Sequence, residues 1–252
     1  MSATLDEQIT TLEKYTACDV SDALLKLQPV PEGSVPRAGY LVDLVPFSPI
    51  FGRNDTAKKV AAPATTFKFL SKNDSIPSIA IENPEKHGFP PGKNWVDYTG
   101  DFAAVDPSKV GSIVVIEQPN GQYCAVTGGN MATRMKVLGI KATVVSGRVR
   151  DLRELQAAGL PIWARATSTV GTGAEAKPAV RNVPINVGGV TVSPGDIIFC
   201  DPVEGVVAIP RDLLGPVLEL MPKLASIEAK VKEALEQGMS VTEAFKKFRG
   251  AK

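Results

Sequence analysis

Between Gly128 and Glu154 the chain reads GGNMATRMKVLGIKATVVSGRVRDLRE, and two parts of that stretch carry groups suited to holding a small anion. Arg150 offers a planar guanidinium whose two-pronged geometry matches a carboxylate. Asp151 beside it offers a hard oxygen ligand suited to a magnesium-type cation, and Glu154 adds a second carboxylate. Twenty residues separate Arg150 from Gly129, which is followed by Asn130 and Met131. A helix starting there leaves its first amides without internal partners, pointing back over a glycine that has no side chain to block an anion. Together these groups describe a site for a small anionic keto acid.

The elements that must position them are also legible. Asn130 to Leu138 is expected to form the helix, and the apolar, β-branched run Ala142 to Val145 a buried strand ended by Gly147. Arg148, Val149, Arg150 and Asp151 then fall near the C-terminal edge of that strand, where ligands of open α/β sheets bind. A plainer reading stands beside this one. Asp151 with Glu154, ahead of LRELQAAG, also has the spacing of a helix N-cap and capping box. An adjacent Arg and Asp can equally be a surface ion pair of little energetic weight.

The order Gly129, twenty residues, Arg150, Asp151, two residues, Glu154 resembles the divalent-metal pyruvate aldolases that cleave 4-hydroxy-4-methyl-2-oxoglutarate and 4-carboxy-4-hydroxy-2-oxoadipate. That family shares its fold with the regulator of ribonuclease activity A, RraA. The likeness also takes in CDVSDALL (Cys18 to Leu25), INVGGVTVSPGD (Ile185 to Asp196) and DPVEGVVAIP (Asp201 to Pro210). The resemblance implies one α/β domain with the swivelling β/β/α (RraA-like) fold over residues 1–252. It implies that Arg150 and the amides after Gly129 bind the pyruvoyl carboxylate, that Asp151 ligates Mg²⁺ or Mn²⁺, and that Glu154 holds metal-bound water. It further implies a homotrimer or dimer of trimers with sites between subunits, where an acid of a neighbour's C-terminal helix assists; Glu228 is the nearest match.

The implied reaction is cleavage of a carbon–carbon bond in a 4-hydroxy-2-oxo di- or tricarboxylic acid to give pyruvate, with oxaloacetate decarboxylation as a second activity. No lysine is needed for a Schiff base, because the cation is the electron sink. No side chain is assigned the proton of the C4 hydroxyl. The rival class is a non-catalytic, protein-binding regulator, since relatives on this fold inhibit a ribonuclease, but those lack the aspartate that Asp151 matches. Another metal-dependent lyase or isomerase acting on a related keto acid is the third alternative.

Composition is that of an ordinary soluble globular chain. The 252 residues are 44% hydrophobic and 22% charged, and 28 Lys and Arg against 27 Asp and Glu leave no excess positive charge to attract nucleic acid or an anionic membrane. Cys18, Cys124 and Cys200 are dispersed in apolar surroundings and read as buried thiols of a reducing compartment. With no signal segment at Met1 and no long apolar run, a cytoplasmic address is expected.

Elsewhere, Leu5 to Leu27 has helical spacing, with Asp19 or Ser21 as candidate caps for a second helix. Lys59 to Leu70, SIVVIE and Pro161 to Thr167 read as strands, and Gly188-Gly189 as a hairpin turn. Val170 to Ala176 reads as a turn. The stretch from about 72 to 107 reads as a long inserted loop with one helical turn, holding the sole histidine, His87, expected to be solvent-exposed. A C-terminal extension from about 211 to 252 is expected to hold a helix broken near Gly215-Pro216 and Pro222, then one opened by a capping box at Ser240 and Glu243.

Overall fold

The computed structural model describes residues 3–30, 32–53, 55–100 and 111–250. Its long central strand is β2 (Val60–Ser71), which carries β3 (Ile113–Glu117) on one edge and two different strands on the other. β3, β4 (Ala142–Val149) and β5 (Ile162–Thr167) follow β2 in parallel, and β1 (Val45–Ser48) closes that side antiparallel to β5. On the opposite edge, β2 pairs through Val60–Pro63 with β9 (Ile197–Asp201) and through Phe67–Ser71 with β6 (Ala176–Arg181). β10 (Gly205–Ile209) lies outside β9.

Parallel strands are covered on both faces, so they read as continuous apolar runs rather than alternating ones. In β3, Val114 and Ile116 pack toward α5 (Gly129–Val137) and α6 (Leu152–Ala158), among Phe67, Met135, Val145 and Leu155. Ile113 and Val115 face the other way, against Trp163 and the hairpin β7 (Ile185–Val187) and β8 (Val190–Val192). That hairpin turns on Gly188 and Gly189, whose φ of 63° and 88° suit the expected glycine pair. A third cluster joins β9 and β10 to α1 (Leu5–Leu12), α2 (Ala17–Leu27) and α7 (Leu214–Glu236) through Leu12, Leu24, Phe199, Val207 and Met221.

Several expectations are corrected here. Thr16 caps α2, with Asp19 as the reciprocal partner of its capping box, and Ser21 sits inside the helix donating to the Ala38 carbonyl. α7 is continuous through Pro216 and Pro222. Pro216 falls in the first turn, where the amide it lacks has no intrahelical partner, and buried Val217 and Met221 hold the helix across Pro222. Cys18 is exposed, with its Sγ 3.6 Å from Glu204 Oε2, while Cys124 and Cys200 are buried as expected. The capping box of Ser240 and Glu243 opens α8 (Val241–Phe248) as read.

The inserted stretch is more ordered than its composition suggests. It folds into α3 (Ser78–Glu82), α4 (Pro84–His87) and a 3₁₀ turn Trp95–Tyr98; its part from 101 to 107 lies outside the described residues. Trp95 packs edge-on against Phe67 and Phe69, at 5.6 and 5.3 Å between ring centroids. Buried Arg181 of β6 ties the stretch down, donating from Nε to the Gly88 carbonyl at 3.0 Å, bonding the Glu85 carbonyl and stacking on Tyr98. His87 is buried rather than exposed, with Nδ1 3.1 Å from the Arg181 carbonyl oxygen. The contacts of Arg181 and the anchoring of Trp95, which a proline count does not reveal, are the reason.

Candidate active site

α5 begins at a glycine pair whose role is close contact. Gly128 caps the helix in an extended conformation, and the first internal bond runs from the Ala132 amide to the Gly128 carbonyl at 3.0 Å. The amides of Gly129, Asn130 and Met131 precede that bond. A Cβ on Gly128 would lie 2.5 Å from Asp151 Oδ2, and one on Gly129 only 2.1 Å from Glu154 Oε2 and 2.4 Å from Glu154 Cβ. Both carboxylates therefore rest on the glycine pair, and any side chain there displaces them. This corrects the expectation of open space over Gly129: Glu154 fills it, and the Gly129 amide already donates to Asp151 Oδ2 at 3.3 Å. Asn130 and Met131 supply the amides left for a ligand.

The second half of the site is stitched to the first through the backbone. Val126 N donates to the Arg148 carbonyl and Arg150 N to the Thr127 carbonyl, each at 3.0 Å, so the segment leading into Gly128 runs alongside the end of β4. Gly147 does not end β4, which continues to Val149. Its missing Cβ instead admits the Gln118 carboxamide, which would lie 2.0 Å away, and Gln118 Oε1 accepts the Arg148 amide at 2.9 Å. The strand's pairing with β5 shifts register between Val145 and Arg148, which re-aims the residues that follow.

Asp151 is the residue that turns the chain. Its φ of 59° and ψ of 47° place it in the left-handed region, which aspartate tolerates better than most side chains at a cost of roughly 1–3 kcal/mol. It precedes α6 in the N-cap position, yet its side chain makes no capping bond, so the capping-box reading is not realised. The carboxylate instead accepts from Gly129 N and from Arg150 Nε, the latter at 3.1 and 3.2 Å to its two oxygens. Arg150 thus engages Asp151 through Nε, leaving its terminal nitrogens beside Gly171, where a Cβ would come within 2.8 Å of Nη1. Arg148 points elsewhere, bonding the carbonyls of Gln122 at 3.2 Å and Thr167 at 2.9 Å.

Arg150, Asp151, Asn130 and Met131 line one cavity of about 580 Å³. Its other walls come from Trp95 and Lys93 of the inserted stretch and the turn 171–173, none of them assigned to the site from sequence, and from Lys177 of β6 and Thr127. Thr127 is 2% exposed and its Oγ1 has no hydrogen-bond partner among the described residues, an unsatisfied hydroxyl in the cavity wall. No local pattern marks Thr127 or Gly171. The Asn94–Asp97 capping box is a detectable signal that the inserted stretch holds a fixed turn.

Among the described residues no three His, Cys, Asp or Glu side chains gather to hold a metal ion. Two carboxylates rest on the glycine pair, Asp151 against Gly128 and Glu154 against Gly129. That donor set suits a hard cation such as Mg²⁺ or Mn²⁺, which binds through one or two carboxylates and completes its shell with water and substrate. Glu228 is not part of this group within the chain. It lies on α7 in an ion pair with Arg249, 2.7 Å from Nε to Oε1, and beside Asp22, whose carboxyl is pushed up by burial and then by the Glu228 charge.

A profile of the RraA-like family, described as Aldolase/RraA, matches residues 17–208. The Legionella pneumophila protein DlpA is 25% identical over 231 residues, 90% of this chain but only 30% of DlpA, so this chain spans less than a third of that relative. A Halalkalibacterium halodurans protein named "Putative 4-hydroxy-4-methyl-2-oxoglutarate aldolase" is 28% identical over 72% of this chain and 81% of its own. Among solved structures, an uncharacterized protein from Pseudomonas syringae pv. tomato superposes with a TM-score of 0.66 at 20% identity, covering 97% of this chain and 99% of the other. A Streptomyces coelicolor protein, described as an unusual member of the RNase ES inhibitor RraA protein family, superposes at 0.63 and 20% identity over 95% and 100%. No described helix is long and apolar enough to cross a membrane. With a mixed α/β domain of matching fold and a family profile covering most of its length, this chain belongs to the RraA-like family.

Proposed function

We propose that the protein is a divalent-metal carbon–carbon lyase that releases pyruvate from a 4-hydroxy-2-oxo di- or tricarboxylic acid and decarboxylates oxaloacetate. The observation that carries this reading is the meeting of Arg150, Asp151 and the first turn of α5 on one cavity, with Glu154 behind the glycine pair. The name of the Halalkalibacterium relative supports the same chemistry. A ribonuclease-binding regulator has no need of such a constellation.

In this reading the terminal nitrogens of Arg150 and the amides of Asn130 and Met131 grip the carboxylate of the pyruvoyl head. Asp151 would hold Mg²⁺ or Mn²⁺, with Glu154 acting through water, and Asp151 also orients Arg150 through Nε. The cation, when bound, supplies Lewis acidity where negative charge develops on the 2-keto oxygen. Trp95 and Met131 give the cavity its apolar side, which limits water around the developing charge. The same head group is present in oxaloacetate, whose loss of carbon dioxide yields the same enolate. We further infer a trimer or dimer of trimers in the cytoplasm, with Glu228 offered to a neighbouring subunit.

The decisive experiment follows pyruvate from oxaloacetate with metal-stripped protein, before and after addition of Mg²⁺ or Mn²⁺. Release above that of protein-free controls holding the same metal is expected only after addition and is expected to fall to the control rate in excess chelator. Turnover that persists unchanged in the chelator refutes the metal-dependent reading.

A further inference from the structure

The cavity holds more positive charge than a pyruvoyl head requires. Among the described residues its lining carries Arg150, Lys93 and Lys177 but only one acid, Asp151, and that acid is already paired with Arg150. Lys177 donates to the Asp74 carbonyl at 2.5 Å, a neutral partner. Lys93 is exposed, its Nζ 5.6 Å from the Tyr98 ring centroid, and makes no carboxylate ion pair within the described residues. It does help hold the Asp97 carboxyl below the usual range, but the main cause there is Arg134, which bonds Asp97 Oδ1 at 2.7 Å.

Lys93 is also held in place by its backbone. The next residue, Asn94, caps the 3₁₀ turn, accepting from Val96 N and donating from its own amide to Asp97 Oδ2, each at 3.2 Å. Asp97 then braces the turn against α5 through Arg134, so the segment bearing Lys93 is fixed to the helix that supplies the Asn130 and Met131 amides. Trp95 is anchored on Phe67 and Phe69, and Tyr98 Oη donates to the Pro90 carbonyl at 3.0 Å. A cation kept at a cavity wall by this much structure, with no carboxylate ion pair among the described residues, is suited to a charge on the ligand.

We propose that Lys93 is a specificity-determining residue that reads a second carboxylate of the substrate, at the end away from the pyruvoyl head, with Lys177 adding to the field. This rests on the keto-acid reading of the site and extends it. The inserted stretch thereby selects dianionic over monoanionic 2-oxo acids.

The test measures binding by calorimetry in the presence of Mg²⁺ for three probes: oxalate, 2-oxoglutarate, and 2-oxovalerate, which keeps the same chain length without the distal carboxylate. Wild-type protein is expected to bind 2-oxoglutarate about tenfold tighter than 2-oxovalerate, the value of one charge-assisted contact at an open wall. Lys93→Met is expected to erase that preference while leaving oxalate affinity within about twofold, and Lys93→Arg to keep it. If Lys93→Met leaves the preference intact, or if only Lys177→Met removes it, the assignment is overturned although the keto-acid site stands. If wild-type protein binds none of the three probes, the keto-acid reading has failed and this inference falls with it.

Discussion

Replacing Arg150 with lysine tests whether the two halves of the cavity act on one carboxylate. Arg150 does two things at once: Nε bonds both oxygens of Asp151, and Nη1 lies beside Gly171, without a hydrogen-bond partner among the described residues. A lysine ammonium is a single point charge and cannot do both. The Arg150–Asp151 pair is 41% and 32% exposed on its two side chains, so its loss should cost folding no more than about 1 kcal/mol. Loss of a charge-assisted bond to a bound carboxylate costs more, about 1.5–3 kcal/mol, or roughly ten- to a hundredfold in kcat/KM. Arg148→Lys is the counterpart with the opposite signature. Its guanidinium bonds the Gln122 and Thr167 carbonyls and not the cavity, so the change should lower Tm by roughly 2–4 °C with little effect on turnover. The assay is kcat/KM with oxaloacetate and oxalate affinity for both variants, alongside thermal melting. A crippled Arg148→Lys beside a near-normal Arg150→Lys would refute the assignment of the carboxylate grip.

Asp151→Asn keeps a residue tolerated at φ 59° and an oxygen for the Gly129 amide, so Tm should move little while Mn²⁺ affinity falls beyond the roughly 10–100-fold typical of outer partners. Titration with Mn²⁺ followed by electron paramagnetic resonance checks this, and unchanged affinity would remove Asp151 from the cation site. Gly129→Ala places a methyl within 2.4 Å of Glu154 Cβ, which cannot swing aside, so α5 and α6 must separate at a cost of about 1–3 kcal/mol. Gly215→Ala in α7, with nothing within 4 Å, should instead raise stability by up to about 1 kcal/mol; denaturant melts compare the two. Asp97→Asn tests the brace on the inserted stretch by its pH dependence. Arg134 depresses the folded-state pKa of Asp97, so the wild type's advantage is present above the ordinary carboxylate range and fades as pH falls through the depressed value. Melting both proteins from neutrality down to about pH 3 should show the two curves merging at the acid end.

The placement of the candidate residues was legible wherever residue type and short spacing sufficed. Arg150, Asp151 and Glu154 sit at one strand end and on the following helix, and that placement needs only local geometry. Gly129 was identified for the wrong reason, because a sequence does not show that Glu154 arrives from another helix to occupy its missing side chain. Thr127 and Gly171 reach the cavity through pairings distant in sequence, Thr127 beside Val149 and Ala125 beside Gly171, and no local pattern predicts those. His87 and the inserted stretch were misjudged because proline and glycine signal irregular backbone, not exposure. The deciding contacts there belong to Arg181, on a strand nearly a hundred positions away. The parallel core strands were the easiest to read, since burial on both faces forces unbroken apolar runs.

The double pairing of β2 also constrains how the protein can be made. Synthesis runs from the N-terminus, so β3, β4 and β5 can assemble on one edge of β2 while its other edge still waits. Val60–Pro63 finds its neighbour only with Ile197–Cys200, and Phe67–Ser71 only with Ala176–Arg181. Until those segments leave the ribosome, a twelve-residue, mostly apolar strand offers unpaired backbone to any other nascent chain. Closure of the sheet is thus a late, long-range event, of the kind that slows folding and rewards chaperone cover during synthesis.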